Sequence, residues 1–92
     1  MDEQNQIDRM LLDYIDENRD QLVEHVRQMV RIDSVEREAR DGAPFGPGVK
    51  KALDLALSIS RDMGFETVDL DGYIGYAFYG RGEDYVCAMG HV

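Results

Sequence analysis

The sequence predicts an α/β fold in which three amphipathic helices lead into β-strands. Apolar residues recur at helical spacing through the first two thirds of the chain, and short turn-bounded segments rich in β-formers follow. With 92 residues, of which 43% are hydrophobic and 32% charged, the chain suits one small globular unit. We therefore expect a helical hairpin, a third helix and a mixed β-sheet within residues 1–92.

Two apolar stripes predict the first two helices. The first stripe consists of Ile7, Met10, Leu11, Tyr14 and Ile15, with Leu12 lying off it. Asn18, followed three residues later by Gln21, is typical of a capping box and begins a second helix that runs to about Ile32. Because only a few polar residues separate the two helices, we expect them to form a hairpin.

A loop and a third helix are expected next. From Asp33 to Gly48 the helical pattern stops, and five charged residues predict a solvated loop: Glu36, Arg37, Glu38, Arg40 and Asp41. Residues 42–48 contain three glycines and two prolines, which neither a helix nor a sheet interior tolerates. Such a loop before a helix N-terminus suggests anion binding, but the Lys-Ser/Thr pair of a phosphate loop is missing. Apolar spacing from Val49 to Met63 predicts the helix, with a weak Lys50–Asp54 pair on its surface. Gly64 is placed to end it in a left-handed conformation.

The last third of the chain predicts strands. Residues 65–70 and 73–79 flank Asp71-Gly72, a strong signal for a hairpin turn. Residues 85–92 form a nearly unbroken apolar run, typical of a central strand buried on both faces. A buried strand needs neighbours and cover that three helices and three strands supply only in part. We therefore expect the chain to be a truncated part of a larger domain, with an unfinished sheet edge that invites self-association.

Composition excludes several classes of partner. The formal net charge of -9 repels phosphate backbones and anionic lipids, so neither nucleic acid nor a membrane is expected as a partner. The N-terminus lacks the basic start and apolar run of a signal peptide, and no stretch approaches the length of a membrane span. The single cysteine, Cys87, rules out an internal disulfide. These features favour a cytoplasmic location.

Three side chains are candidates for chemistry. His91 follows a glycine at the carboxyl end of the last expected strand, where α/β sheets bind ligands, and imidazole is a common zinc ligand. An ordinary hydrogen-bonding histidine is the alternative that the pattern leaves open. His25, beside the apolar stripe of the second helix, indicates a partly buried structural residue. Cys87 indicates a buried, inert thiol within the apolar run.

Five segments, taken in order, resemble the start of the PepV-type dipeptidases, which belong to the aminoacylase, carboxypeptidase and dipeptidase family of two-zinc peptidases. These are residues 30–35, 44–53, 64–67, 71–76 and 89–92. The Phe-Gly-Pro-Gly loop that leads into Lys-Lys-Ala-Leu is the most specific of them and indicates the dipeptidase branch. The resemblance runs from about residue 7 to residue 92.

The resemblance implies that His91 is a zinc ligand of the intact protein. In that family the strand ends in Gly-His-x-Asp, and the aspartate, which supports the histidine, would follow residue 92. The other ligands and the general-base glutamate would also lie downstream. The chain is thus expected to be an inactive part of a zinc peptidase that hydrolyses short peptides with metal-activated water. The alternative is a free-standing interaction or structural domain derived from a dipeptidase N-terminus.

Overall fold

The computed structural model describes residues 2–92, which form three helices followed by a two-stranded sheet. The elements are α1 (Asp2–Glu17), α2 (Arg19–Val30), α3 (Pro47–Asp62), β1 (Glu66–Leu70) and β2 (Ile74–Phe78). This order confirms the α/β prediction and the three predicted helices. The sheet is antiparallel, where a mixed sheet was expected.

Helix α3 is bounded at both ends by glycines with positive φ. Gly46, with φ 102°, precedes Pro47, whose fixed φ suits the first position of a helix. At the other end Gly64 has φ 96°, and the Phe65 N–H donates to the Ser60 carbonyl at 3.0 Å. This bond pattern is a Schellman motif and confirms the predicted left-handed end at Gly64.

The two strands are joined by the predicted turn. Asp71 and Gly72 have φ of 56° and 80°, and the Tyr73 N–H donates to the Leu70 carbonyl at 3.0 Å. Positive φ at both central positions is the hallmark of a type I′ turn, whose twist matches that of the flanking strands. Leu70 faces Ile74 across the hairpin, so Tyr73 follows the turn as an unpaired residue before β2 begins.

A small core lies between α3 and one face of this sheet. Ala52 and Leu57 of α3 are 1% and 6% exposed. A Cβ built on Gly75 of β2 would come within 3.1 Å of Leu53 and Leu57 methyl carbons, so glycine lets the strand lie close to the helix without displacing these side chains. The ring of Phe45 completes the core from the preceding loop through an edge-to-face contact with Tyr73, 5.6 Å between centroids.

Lys50 links α3 to the sheet on the face of the sheet that packs against this helix. Lys50 Nζ bonds Asp54 one turn along the helix, which confirms the predicted pair, and also Asp69 Oδ2 of β1 at 2.7 Å. The Lys50 ammonium holds the pKa of the Asp69 carboxyl below its usual range, assisted by the Gly72 N–H that donates to it at 2.8 Å. In turn, hydrogen bonds to Asp54 and Asp69 raise the pKa of Lys50.

The Asp69→Asn substitution is expected to reduce the acid sensitivity of the fold. The pKa of Asp69 is lower in the folded chain than its unfolded value of 3.8, so its stabilising contribution is complete above that value. The contribution disappears as the pH falls through the lowered pKa, because protonation removes the charge. Urea unfolding monitored by circular dichroism should show a smaller loss of stability between about pH 5 and pH 2.5 for the variant. Equal losses of stability in the unmodified chain and in Asp69→Asn would contradict the lowered pKa of Asp69. Lys50→Met should also reduce the acid sensitivity, because it removes the ammonium group that lowers this pKa.

Helix α1 takes little part in the core. Only Asn18 separates it from α2, and Asn18 Nδ2 donates back to the Tyr14 carbonyl at 2.8 Å, so the expected capping box is not formed. A packed helical hairpin normally needs a loop of two to five residues. Among the described elements α1 contacts α2 alone, and its apolar stripe stays exposed. The two helices therefore follow one another without packing along their lengths.

The expected third strand, residues 85–92, is absent from the described part of the chain. These residues have no regular secondary structure and pair with no strand, and Val86 and Met89 are 100% and 95% exposed. The prediction was wrong because an apolar run becomes a strand only where a neighbouring strand accepts its backbone hydrogen bonds. The resulting shape is open, with a radius of gyration of 16.3 Å. A compact chain of this length would have about 12 Å.

Candidate metal centre

His91 lies where the C-terminal segment meets the loop between α2 and α3. Together they border a cleft of about 280 Å³. Its polar side is lined by Ser34, Glu36 and His91, and its apolar side by Phe45, Val49 and Val92. The cleft thus places one imidazole and one carboxylate beside an apolar wall.

Backbone hydrogen bonds fix the loop that forms this wall. The Arg37 N–H donates to the Phe45 carbonyl at 2.9 Å, and Arg40 and Ala43 exchange bonds of 3.0 and 2.9 Å. A Cβ on the buried Gly46 would lie 3.0 Å from Arg37 Cβ, which leaves room for no other residue there. Residues 33–46, which belong to the stretch expected to be a loop, therefore double back on themselves and hold Phe45 and Glu36 near His91.

The start of this loop carries an ion pair. Arg37 Nη2 lies 3.2 Å from Asp33 Oδ2, and the Val35 N–H reaches the other carboxylate oxygen of Asp33 at 3.4 Å. The hydrogen bond from Arg37, followed by that from Val35, holds the pKa of Asp33 below its usual range. Both side chains are exposed, so the pair contributes little to stability. The Asp33–Arg37 pair spans the turn that contains Ser34 and Glu36.

The described residues do not assemble a complete metal site. Within residues 2–92 there is no group of three or more His, Cys, Asp or Glu side chains placed to hold an ion. A catalytic zinc takes about three protein ligands and a structural zinc takes four. His91 with a nearby Glu36 falls short of either number.

The remaining sequence-predicted residues lie apart from the cleft. His25 is half-buried on α2, in keeping with the structural role predicted for it. Cys87 is exposed, where a buried thiol was expected, because the strand that was to enclose it is not formed. The glycine-rich loop before α3 borders a second cleft of about 290 Å³, where Arg31 and Lys51 lie beside Asp33.

Sequence reasoning missed the placement of Ser34 and Glu36. Both belong to a stretch that its charges marked as a solvated loop. Their proximity to His91 depends on the backbone bond between Arg37 and Phe45 and on the path of the C-terminal segment. No local pattern signals a contact between residues so distant along the chain.

Comparison with known proteins relates most of the chain to proteins named as dipeptidases. It is 36% identical over 76 residues to "Putative dipeptidase YtjP" of Bacillus subtilis, a match that covers 80% of this chain and 16% of that protein. It is 34% identical over 80 residues to a protein of the same dipeptidase description from Staphylococcus aureus strain USA300, covering 85% of this chain and 17% of the relative. The chain therefore spans about a sixth of the length of these relatives. No family model matches it.

None of the helices α1, α2 and α3 is both long enough and apolar enough to cross a membrane. This agrees with the sequence, in which charged residues interrupt every helical segment.

Proposed function

We propose that this chain is part of a zinc-dependent dipeptidase of the PepV type, which hydrolyses short peptides in the cytoplasm. One observation carries the proposal: the similarity to proteins named as dipeptidases extends over four fifths or more of the chain. The order of the five matched segments and the Phe-Gly-Pro-Gly loop support the finer assignment to the two-zinc family. The single cysteine, which is exposed and can form no internal disulfide, supports the location.

Within this proposal His91 is one ligand of the metal. Its position in a cleft that opens to solvent allows further ligands to approach it from other parts of a longer protein. Zinc, when bound, would lower the pKa of a water molecule and polarise the peptide carbonyl. Because residues 2–92 hold no group of three ligands, the chain by itself is expected to be inactive.

The experiment that tests the proposal is to read the source gene beyond the codon for Val92 and to assay its product. We expect an aspartate two places after His91, further Asp, Glu and His ligands downstream, and hydrolysis of dipeptides that chelation abolishes. A reading frame that ends at Val92, or a longer product without peptidase activity, would refute it.

The second candidate function is an interaction domain derived from a dipeptidase N-terminus. The observation that favours it is the exposed apolar surface of α1 and of the sheet. Its prediction for the gene is the opposite one, namely a stop codon close to Val92. The same experiment therefore separates the two candidates.

A further inference from the structure

The apolar side of the cleft beside His91 is built by contacts within this chain. Phe45 and Val49 are half-buried there, whereas Glu36 and His91 are exposed at the polar side. Val49 belongs to the first turn of α3, and the ring of Phe45 rests edge-to-face on Tyr73 at 5.6 Å between centroids. The cleft therefore combines a carboxylate, an imidazole and an apolar surface that local packing supports.

The position of this apolar surface next to His91 connects it with the substrate. In the dipeptidase proposed above, on which this inference rests, His91 binds the metal, and the scissile bond of the peptide lies beside that metal. Consecutive Cα atoms are about 3.8 Å apart, so the two residues that flank the scissile bond stay close to the metal ligand. The cleft, at about 280 Å³, is at the lower end of the size of small-molecule sites and suits a single amino-acid residue.

Charge indicates which of the two flanking residues the cleft suits. A free dipeptide carries an ammonium group at its amino end and a carboxylate at its carboxyl end. Glu36 places a carboxylate in the cleft, and among the described residues that line it there is no lysine or arginine. Glu36 attracts the ammonium group and repels the carboxylate of the peptide. The amino-terminal residue is therefore the one that the cleft accommodates.

We propose that this cleft is the subsite for the amino-terminal residue of the substrate. Glu36 binds the ammonium group of that residue, and Phe45 and Val49 contact its side chain. The expected substrates are dipeptides that begin with a large aliphatic residue such as leucine, because a larger apolar side chain removes more surface from water than alanine does. In an apolar pocket, a difference of one methylene already discriminates between substrates by about 10–200-fold.

Hydrolysis of leucyl-glycine and alanyl-glycine by the proposed dipeptidase tests the apolar contact. We expect kcat/KM to be at least about tenfold higher for leucyl-glycine, and both Phe45→Ala and Val49→Thr to lower this ratio at least about threefold. Val49→Thr keeps the size of the side chain and exchanges a methyl for a hydroxyl group, so it changes the pocket without opening a cavity in the fold. Tyr73→Leu is the control, since it removes the ring contact of Phe45 from outside the cleft and should leave the ratio within about twofold.

Glu36→Gln tests the contact with the ammonium group. The variant should raise KM for leucyl-glycine at least about tenfold, as expected for loss of a hydrogen bond between charged groups, with unchanged zinc content. Calorimetric titration with free leucine, which carries the same ammonium group and side chain, measures the contact without hydrolysis and should show weaker binding to the variant. Glu38→Gln makes the same change of charge in the same loop but outside the cleft, so it should change KM less than about twofold.

The possible outcomes distinguish this subsite from the dipeptidase assignment. If the unmodified protein hydrolyses no dipeptide, the assignment fails and the subsite fails with it. If dipeptides are hydrolysed but Phe45→Ala and Val49→Thr leave the preference for leucine unchanged, the subsite alone is refuted. Loss of zinc together with activity in Glu36→Gln would make the carboxylate a metal ligand and would likewise overturn its role as partner of the ammonium group.

Discussion

In the dipeptidase proposed above, His91→Ala is expected to abolish dipeptide hydrolysis. Loss of a residue that merely supports a metal ligand already costs 10–100-fold in affinity or activity, so loss of a ligand itself should lower kcat/KM by more than about 100-fold. The bound zinc, measured by atomic absorption after dialysis, should fall with the activity. His91 lies in the open cleft, so the substitution removes no part of the α3–sheet core.

The second histidine of the chain supplies the control for this experiment. His25 is half-buried on α2 and lies outside the cleft, so His25→Ala should leave zinc content and kcat/KM close to those of the unmodified protein. It is expected to lower stability by about 1 kcal/mol, as a typical point substitution does. Full activity and full zinc content in His91→Ala would contradict the proposed ligand. Equal losses in both variants would point to a general effect on folding.

A Glu36→Gln variant tests whether the Glu36 carboxylate takes part in metal binding. If the carboxylate only lines the cleft, Glu36→Gln should leave zinc content unchanged, since glutamine keeps the shape of the side chain. A fall in zinc content comparable to that of His91→Ala would make Glu36 a participant in metal binding. Either result bears on a residue that the sequence alone assigned to a solvated loop.

The sequence correctly predicted the features that depend on residue type and on contacts close along the chain. The helix that ends at Gly64 and the turn at Asp71-Gly72 appear where expected, because positive φ at those positions follows from residue type. The Lys50–Asp54 pair follows from helical spacing in the same way. Elements that depend on partners were not predictable: residues 85–92 have a strand-like composition but no strand beside them, and the stripe of α1 has no surface to meet within its own chain.

The same distinction between local pattern and long-range contact holds for the residues of the candidate site. The Gly-His pair marked residue 91, since a histidine after a glycine at the end of an apolar run is a local pattern. Its neighbours Ser34 and Glu36 are brought to the cleft by the loop that Gly46 and Gly48 allow to pass close to α3. The sequence predicted a loop up to Gly48, whereas Gly48 lies in the first turn of α3. It also did not show that the segment from Asp33 to Arg37 approaches these glycines.

Gly48→Ala is expected to disrupt the fold more than any other single methyl addition in the chain. Gly48 lies inside α3, and a Cβ there would overlap the Asp33 carbonyl oxygen. Backbone on both sides must move to relieve such an overlap, which should cost about 3 kcal/mol or more. A single small domain has only about 5–15 kcal/mol of stability, and this chain buries few side chains fully. Urea unfolding followed by circular dichroism measures the loss.

Alanine substitutions at two other glycines serve as controls, because they show what replacing a glycine costs when the new Cβ overlaps no atom. Gly64→Ala meets no atom within 4 Å but must adopt φ near 96°, so it reports backbone strain alone, about 1 kcal/mol. Gly90→Ala meets neither an atom nor a positive φ and should change stability by less than about 0.5 kcal/mol. The expected order of destabilisation is therefore Gly48 first, Gly64 second and Gly90 last. If Gly48→Ala were as mild as Gly90→Ala, the segment that carries Ser34 and Glu36 would not rest on α3, and the cleft beside His91 would lose its wall.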